Sequence, residues 1–485
     1  MHRFWFIGLS LAAVGCARIN PSFADGDDET EGAASGSGGA PSGTGSIDSD
    51  SATQGESEAQ GEGTADTVDA DPPAQWVFTD DEHDEFEAGV LEDLHWSSQD
   101  AVELVSGATV GTLRSRIFTT GGHLGHLTDI EWHPPAPYGV ALFGPEIDER
   151  EAYDFGGADT TGLELLLHLD FATNTLEVGD LVPDASAFAH HGTLGGAPLS
   201  VSRGVFARGV TNPGDGFIDH AQAQLAPGTT EFTWTAWYRT DDCSGAAIVS
   251  FDAPDDQEVP TSSVWMLCNS NFSCPTKAKP RHGTFEALAV AVAADGSTSG
   301  PRACGLKPVD DDVWHHLAVR MLHSGGGSTL ELFVDGTPDE GVAPFFDSQH
   351  DFAQGPLQAF TTVGNPAPAY GGAGSYDEIT IWDRRLSDDE IRDLHARGAA
   401  QVEFRVRACT TEDCSDNPPF VGPQGAAGIG FVDSGPDEGH AHDVWEFDQV
   451  GVAFQYELRM TLDAAGVPSP RIPLVSLVAK PAEND

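Results

Sequence analysis

The side chains with chemical potential in this chain are its carboxylates, histidines and cysteines. Asp and Glu number 77 against 23 Lys and Arg, a formal net charge of -54. Carboxylates on loops suit a hard cation such as calcium, which takes about six to eight oxygens. Two of them about 5–9 Å apart would cleave a glycosidic bond. Asp377 and Glu378 are adjacent in a strand and are therefore expected on opposite faces, unable to act jointly. No Gly-x-Ser-x-Gly elbow, metalloprotease zinc helix or EF-hand loop occurs, so no enzyme activity is expected. His315 and His316 alternate faces and cannot chelate one metal together, whereas His440 and His442 would share a face as a weak metal pair. Seven cysteines remain: Cys16, Cys243, Cys268, Cys274, Cys304, Cys409 and Cys414. Their spacings match no zinc signature. Cys409 and Cys414 enclose four residues and are expected to pair across a turn. Cys243, Cys268, Cys274 and Cys304 allow three pairings, among which sequence does not choose.

The N-terminus reads as an address. Phe4 to Val14 is an apolar run too short to span a bilayer, preceded by Arg3 and ending Ala13-Val14-Gly15-Cys16. That ending resembles a bacterial lipobox, which implies lipidation of Cys16 and a lipid anchor in the outer membrane or at the cell surface. With Cys16 lipidated, an even six cysteines remain for an oxidising compartment. No later run is apolar enough to span a membrane, so lipid is the only expected anchor. The acidity excludes nucleic-acid binding through phosphates and argues against docking on anionic lipid. Between Arg18 and Arg114 there is no Lys or Arg, and the stretch from about Pro21 to Pro73 is mostly Gly, Ser, Ala, Thr, Asp and Glu. Such a segment buries too little apolar area to offset its chain entropy and is expected to be a disordered, extended stalk.

Beyond the stalk the periodicity is that of strands. Gly111 to Phe118 and Leu127 to Trp132 alternate, and Val102 to Val105 is a third short strand. Gln401 to Arg407 places Val402, Phe404 and Val406 on one face and Glu403, Arg405 and Arg407 on the other. Val452 to Leu462 and Pro473 to Val478 follow. Either set alone has too few strands for a core, so the two are expected to build one split β-sandwich around an insertion.

The insertion carries the most specific pattern. Phe232 to Tyr238 alternates aromatics with Thr and Ala. Trp314-His315-His316-Leu317-Ala318-Val319 precedes Leu332-Phe333-Val334-Asp335-Gly336, then Val363-Gly364-Asn365. The end is Ser375-Tyr376-Asp377-Glu378-Ile379-Thr380-Ile381-Trp382, followed by a helix with Ser387 as N-cap, Glu390 closing a capping box, and Gly398 as a left-handed stop. In this order the motifs resemble a laminin-G-like jelly roll of the concanavalin A-like lectin/glucanase superfamily. The resemblance implies an all-β jelly-roll sandwich inserted into the second, split sandwich. It also implies a structural calcium near the first and last strands, at Asp377 and Asp170. The superfamily's glucanases carry Glu-x-Asp-x-x-Glu on one strand, and this chain has no such string. For a glycan, Trp265 and Tyr370 are the expected ligand-binding aromatics, with Trp234 and Tyr238 as further candidates and Trp237 and Trp382 in the core.

The expected organisation is a signal peptide at 1–16, an acidic linker at 17–75, the first half-sandwich at 76–150, the jelly roll at 151–398 and the second half-sandwich at 399–485. The expected role is binding of an extracellular glycan or an envelope protein. A spacer without ligand and a glycan-cleaving enzyme are the alternatives.

Overall fold

The computed structural model describes residues 72–482, apart from 146, 221–230, 253–261, 270–283, 293–297, 300–301, 325–326, 340–359, 364–372, 429, 434–435, 438–439, 444–448 and 464–466. Two bodies of β-structure share this unit, each with its own core.

The outer body is woven from both flanks. Trp76–Asp80 pairs antiparallel with Val475–Pro481, which pairs with Gly125–Trp132, which in turn pairs with His440–Asp443. A second sheet runs Val90–Glu92, Val110–Arg114, Ala453–Leu462, Ala400–Cys409. A third joins Leu94–Trp96 and Val102–Leu104 to Arg471–Ile472. Every one of these sheets takes strands from either side of the insertion, so the sandwich is split. The alternation in Ala400–Cys409 explains the packing: Val402, Phe404 and Val406 are buried, and Phe404 stacks on Trp132 with ring centroids 4.6 Å apart. Each such large apolar side chain removed from water contributes roughly 1.5–3 kcal/mol. One short helix, His83–Glu87, interrupts the region from Trp76 to Phe143 that reads from sequence as strands, and a second, Glu149–Ala152, follows it.

Among the described residues, the inserted body is a jelly roll of two nine-stranded sheets. Its hub is Gly374–Trp382, which pairs with Glu231–Arg239 on one side and with Arg208–Asn212 and Leu163–Leu167 on the other. Glu231–Arg239 is itself a central strand, paired also with His315–Ser324. This overturns the reading of Trp234 and Tyr238 as ligand contacts. Both are fully buried in the core between the sheets, because a strand flanked by two others and covered on both faces exposes neither side. Trp237 and Trp382 are buried, as read.

The closing helix is Asp388–Ala399, and its Ser387–Glu390 capping box is formed. Gly398 does not end it. The helix continues through Ala399 and passes directly into strand Ala400–Cys409. The glycine answers a different need: a Cβ there would lie 2.5 Å from the Trp237 ring. Cys243 and Cys268 form a disulfide with Cα atoms 4.9 Å apart, Cys409 and Cys414 another at 5.1 Å, and Cys304 is also disulfide-bonded. Cys16 and Cys274 lie outside the described residues. Among the described residues no helix is long and apolar enough to cross a membrane.

Candidate functional site at the seam of the two bodies

Where the jelly roll meets the split sandwich there is a cleft of about 590 Å³. Its lining comes from three stretches of chain. The jelly roll supplies His168, Asp170, Arg203 and Val205 to Ala207. The second flank supplies Gln401 to Glu403, Val432 and Asp433. The connecting segment supplies Gly139 to Phe143.

The geometry begins with a fault in the hub strand. Asp377 pairs with Trp237 and Thr380 with Thr235, so Glu378 and Ile379 oppose Ala236 alone. Glu378 takes a left-handed φ of 45°. This β-bulge breaks the alternation and re-aims the side chains. The expectation that Asp377 and Glu378 face apart therefore fails: both carboxylates are buried and both end at the seam. Glu378 Oε1 accepts the Leu142 N–H at 2.7 Å, and Oε2 lies 2.8 Å from His168 Nδ1. Burial opposes charge on His168, but the Glu378 carboxylate more than offsets it, and the imidazole pKa is raised.

Asp377 Oδ2 accepts the Val205 and Phe206 N–H groups at 2.7 and 2.9 Å, holding the turn that forms one cleft wall. Its Oδ1 is buried with no hydrogen-bond partner. Burial first, then the Glu378 carboxylate, pushes the Asp377 pKa well above the usual range, and Asp170 adds to this. Asp170 sits in the open at the end of the first jelly-roll strand, its Oδ1 accepting the Arg208 N–H at 2.7 Å. The Asp170 charge is felt at Asp377, the two residues lying on either side of the pairing between the first and last strands. Among the described residues no three His, Cys, Asp or Glu side chains gather closely enough to hold a metal by themselves. A cation here would find in Asp377 Oδ1 a buried oxygen whose need is unmet. The donors are hard oxygens, which fit calcium.

The other expected site residues are elsewhere. Trp265 lies mid-strand in Ser262–Asn269, opposite Ser250 and Leu288, in the sheet that does not carry the bulge. Tyr370 falls outside the described residues. His440 and His442 lie on strand His440–Asp443. His315 binds Asp335 and Asp311, while His316 is buried beside Trp237 and desolvation lowers its pKa to about 3. His168, Arg203 and Glu403 were not singled out from sequence. The signal for His168 was present: it interrupts the apolar run Leu163 to Leu169.

A short connection tied by buried hydrogen bonds holds the cleft floor. Glu149 is fully buried and pairs with the buried Arg397 at 3.1 and 3.2 Å. Arg397 Nε also donates to the Val140 carbonyl at 2.9 Å, and the Gly139 N–H donates to the Arg397 carbonyl at 2.6 Å. Tyr153 donates its hydroxyl to Asp433 at 3.2 Å, tying the same segment to the second flank.

The architecture is a jelly roll carried by a split β-sandwich. Residues 212–392 match the laminin-G family described as the concanavalin A-like lectin/glucanases superfamily. No curated protein matches the chain. Among solved structures, domain 4 of an extracellular arabinanase from Geobacillus stearothermophilus, determined with arabinotriose, is 14% identical, with 48% of this chain and 98% of that one covered at a TM-score of 0.34. A Trypanosoma rangeli sialidase complexed with 2,3-difluorosialic acid is 14% identical over 49% of this chain and 33% of its own, at 0.33. The binding domain of Paraclostridial Mosquitocidal Protein 1 is 10% identical over 52% and 61%, at 0.33. The chain spans about a third of the sialidase's length.

Proposed function

We propose that this chain is a non-enzymatic, lipid-anchored protein of the outer membrane or cell surface that binds glycan through its laminin-G-like domain. The observation that carries the reading is the match of residues 212–392 to a lectin/glucanase superfamily, which supports glycan binding at a general level. The net charge of -54 suits a solvated extracellular protein and disfavours polyanionic ligands. The test is a glycan array probed with the chain, alongside a pull-down on envelope material. Saturable retention of a glycan without release of reducing ends is expected. Retention of nothing in either arm would leave a spacer, and released reducing ends would make it an enzyme.

Anchoring is tested at Cys16. The Cys16→Ser variant is expected to leave the membrane fraction for the soluble one, and a variant that fractionates like the parent would remove lipidation from the reading.

Calcium is the proposed structural ion, held through Asp377 Oδ1 and Asp170. A ligand that binds only the folded state at a hundredfold excess over its dissociation constant stabilises by about 2.7 kcal/mol. Calcium is therefore expected to raise the melting temperature by a few degrees, and magnesium by less, because magnesium resists an all-protein oxygen cage. Asp377→Asn keeps an oxygen for the Val205 and Phe206 amides but removes the charge, and should abolish the calcium-specific part alone. The pH dependence has a definite sign. The folded pKa of Asp377 is raised, so with a chelator present the folded state holds the extra proton. Its contribution to stability then increases as pH falls from neutral and levels off below the unfolded-state value, about 3.9. Calcium requires the ionised carboxylate, so the calcium increment should shrink over the same descent. Equal shifts with both ions, unchanged in Asp377→Asn, would rule out a site.

A further inference from the structure

We infer that the seam cleft, rather than the aromatic residues of the jelly-roll sheets, is the ligand site, and that it takes a neutral, polyhydroxylated saccharide. The inference rests on the glycan-binding reading and names its place.

Four observations converge. The first is size and position: about 590 Å³ between two separately cored bodies. Ligand cavities run to about 300–1,000 Å³ and favour such junctions.

The second is chemistry. The lining combines carboxylates (Asp170, Glu403, Asp433), a guanidinium (Arg203), a carboxamide (Gln401) and an imidazole (His168) with apolar valines. Vicinal hydroxyls are donors and acceptors at once, and a mixed set of this kind meets both roles. With calcium balancing Asp170 and Asp377, Glu378 balancing His168 and Glu403 balancing Arg203, Asp433 leaves the cleft without net positive charge, which disfavours a uronate, sialate or phosphate.

The third is preorganisation. His168 is fixed by Glu378 at 2.8 Å. The Val205–Phe206 wall is fixed by Asp377 Oδ2. The Gly139 to Phe143 floor is fixed by Arg397, Glu378 and Glu149. A site whose walls are already held loses little ordering entropy on binding.

The fourth is the mouth. Arg203 of the jelly roll reaches Glu403 of the split sandwich at 3.9 Å, with the Arg203 side chain 80% exposed. At the limit of ion-pair distance and with one partner in water, such a pair is worth about 0–1 kcal/mol, so a ligand hydroxyl can replace Arg203 at small cost.

The experiment titrates the full chain, with calcium present throughout, with neutral trisaccharides of glucose, xylose, arabinose and N-acetylglucosamine. A triuronate and a sialylated trisaccharide form the anionic arm. Three cleft variants are compared with Trp265→Ala. Gly428, which also lines the cleft, is a position where a Cβ meets nothing within 4 Å, and Gly428→Trp plugs the cleft from there. Val432→Trp does so from a half-exposed position. Arg203→Ala removes an exposed side chain. Because these positions are open, all three are expected to melt like the parent. The expected result is saturable binding of at least one neutral trisaccharide, weakened about tenfold or more by each plug and by Arg203→Ala, and unchanged in Trp265→Ala. Binding that survives both plugs and is lost in Trp265→Ala would overturn the cleft while sparing the glycan-binding reading. Tighter binding of the anionic arm would overturn the ligand class, and no saccharide binding at all would sink both readings together.

Discussion

Replacing Glu149 with alanine is expected to cost about 3–5 kcal/mol of stability, the cost of leaving a buried charge without its partner. Glu149 is fully buried, and its two carboxylate oxygens serve four donors: the Phe143 and Ala158 amides at 2.9 and 2.8 Å and both terminal nitrogens of Arg397. Without it the Arg397 guanidinium keeps only backbone carbonyls. The Arg392–Asp389 pair on the same helix is the control, with its side chains 51% and 80% exposed. Asp389→Ala should cost less than about 1 kcal/mol, because water and salt already screen that pair. Glu149→Leu combined with Arg397→Met should recover part of the loss, since it removes the stranded charge. Urea unfolding of the four chains measures all of this. A loss below about 1 kcal/mol in Glu149→Ala would mean that water reaches the seam and does not leave the charge stranded.

Separating the flanks should have a larger effect still. Residues 76–150 expressed alone, and 399–485 alone, are each expected to show no cooperative unfolding transition. Joined by a short linker in place of the jelly roll, they should regain one. Gly125–Trp132 lies between Val475–Pro481 and His440–Asp443, and Val110–Arg114 pairs with Ala453–Leu462. Cutting the flanks apart strips those backbone groups of partners and removes Phe404, Tyr456, Leu458, Met460 and Leu477 from the core that also holds Leu113, Ile130 and Trp132. Circular dichroism melts of the three chains decide the matter. A cooperative melt of 76–150 by itself would show that the first flank needs no partner.

Much of this fold is written in local patterns. A period of two at Val402, Phe404 and Val406 is enough to aim that strand, because successive side chains in extended backbone must alternate. Ser387 and Glu390, three apart, cap their helix wherever the helix sits, because a cap is satisfied within one turn. The pairing of the two flanks was legible as well, since neither could close a core alone. The site was not. Leu142 and Glu378 are 236 positions apart and Glu149 and Arg397 are 248 apart, and no local period carries such a relation. The left-handed Glu378 was hidden for the opposite reason: its neighbours alternate well enough to predict a regular strand, and only the two-against-one pairing with Ala236 forces the bulge. Likewise the aromatic alternation of Phe232 to Tyr238 reads as a half-exposed strand, until its central place in the sheet covers the second face. The sequence by itself determined the all-β class, the split of the outer sandwich and the helix that closes the jelly roll, all of which follow from periodicity and capping. Only tertiary structure decided which carboxylates meet, which aromatics are buried and where the cleft lies, because those depend on distances between strands far apart in the chain.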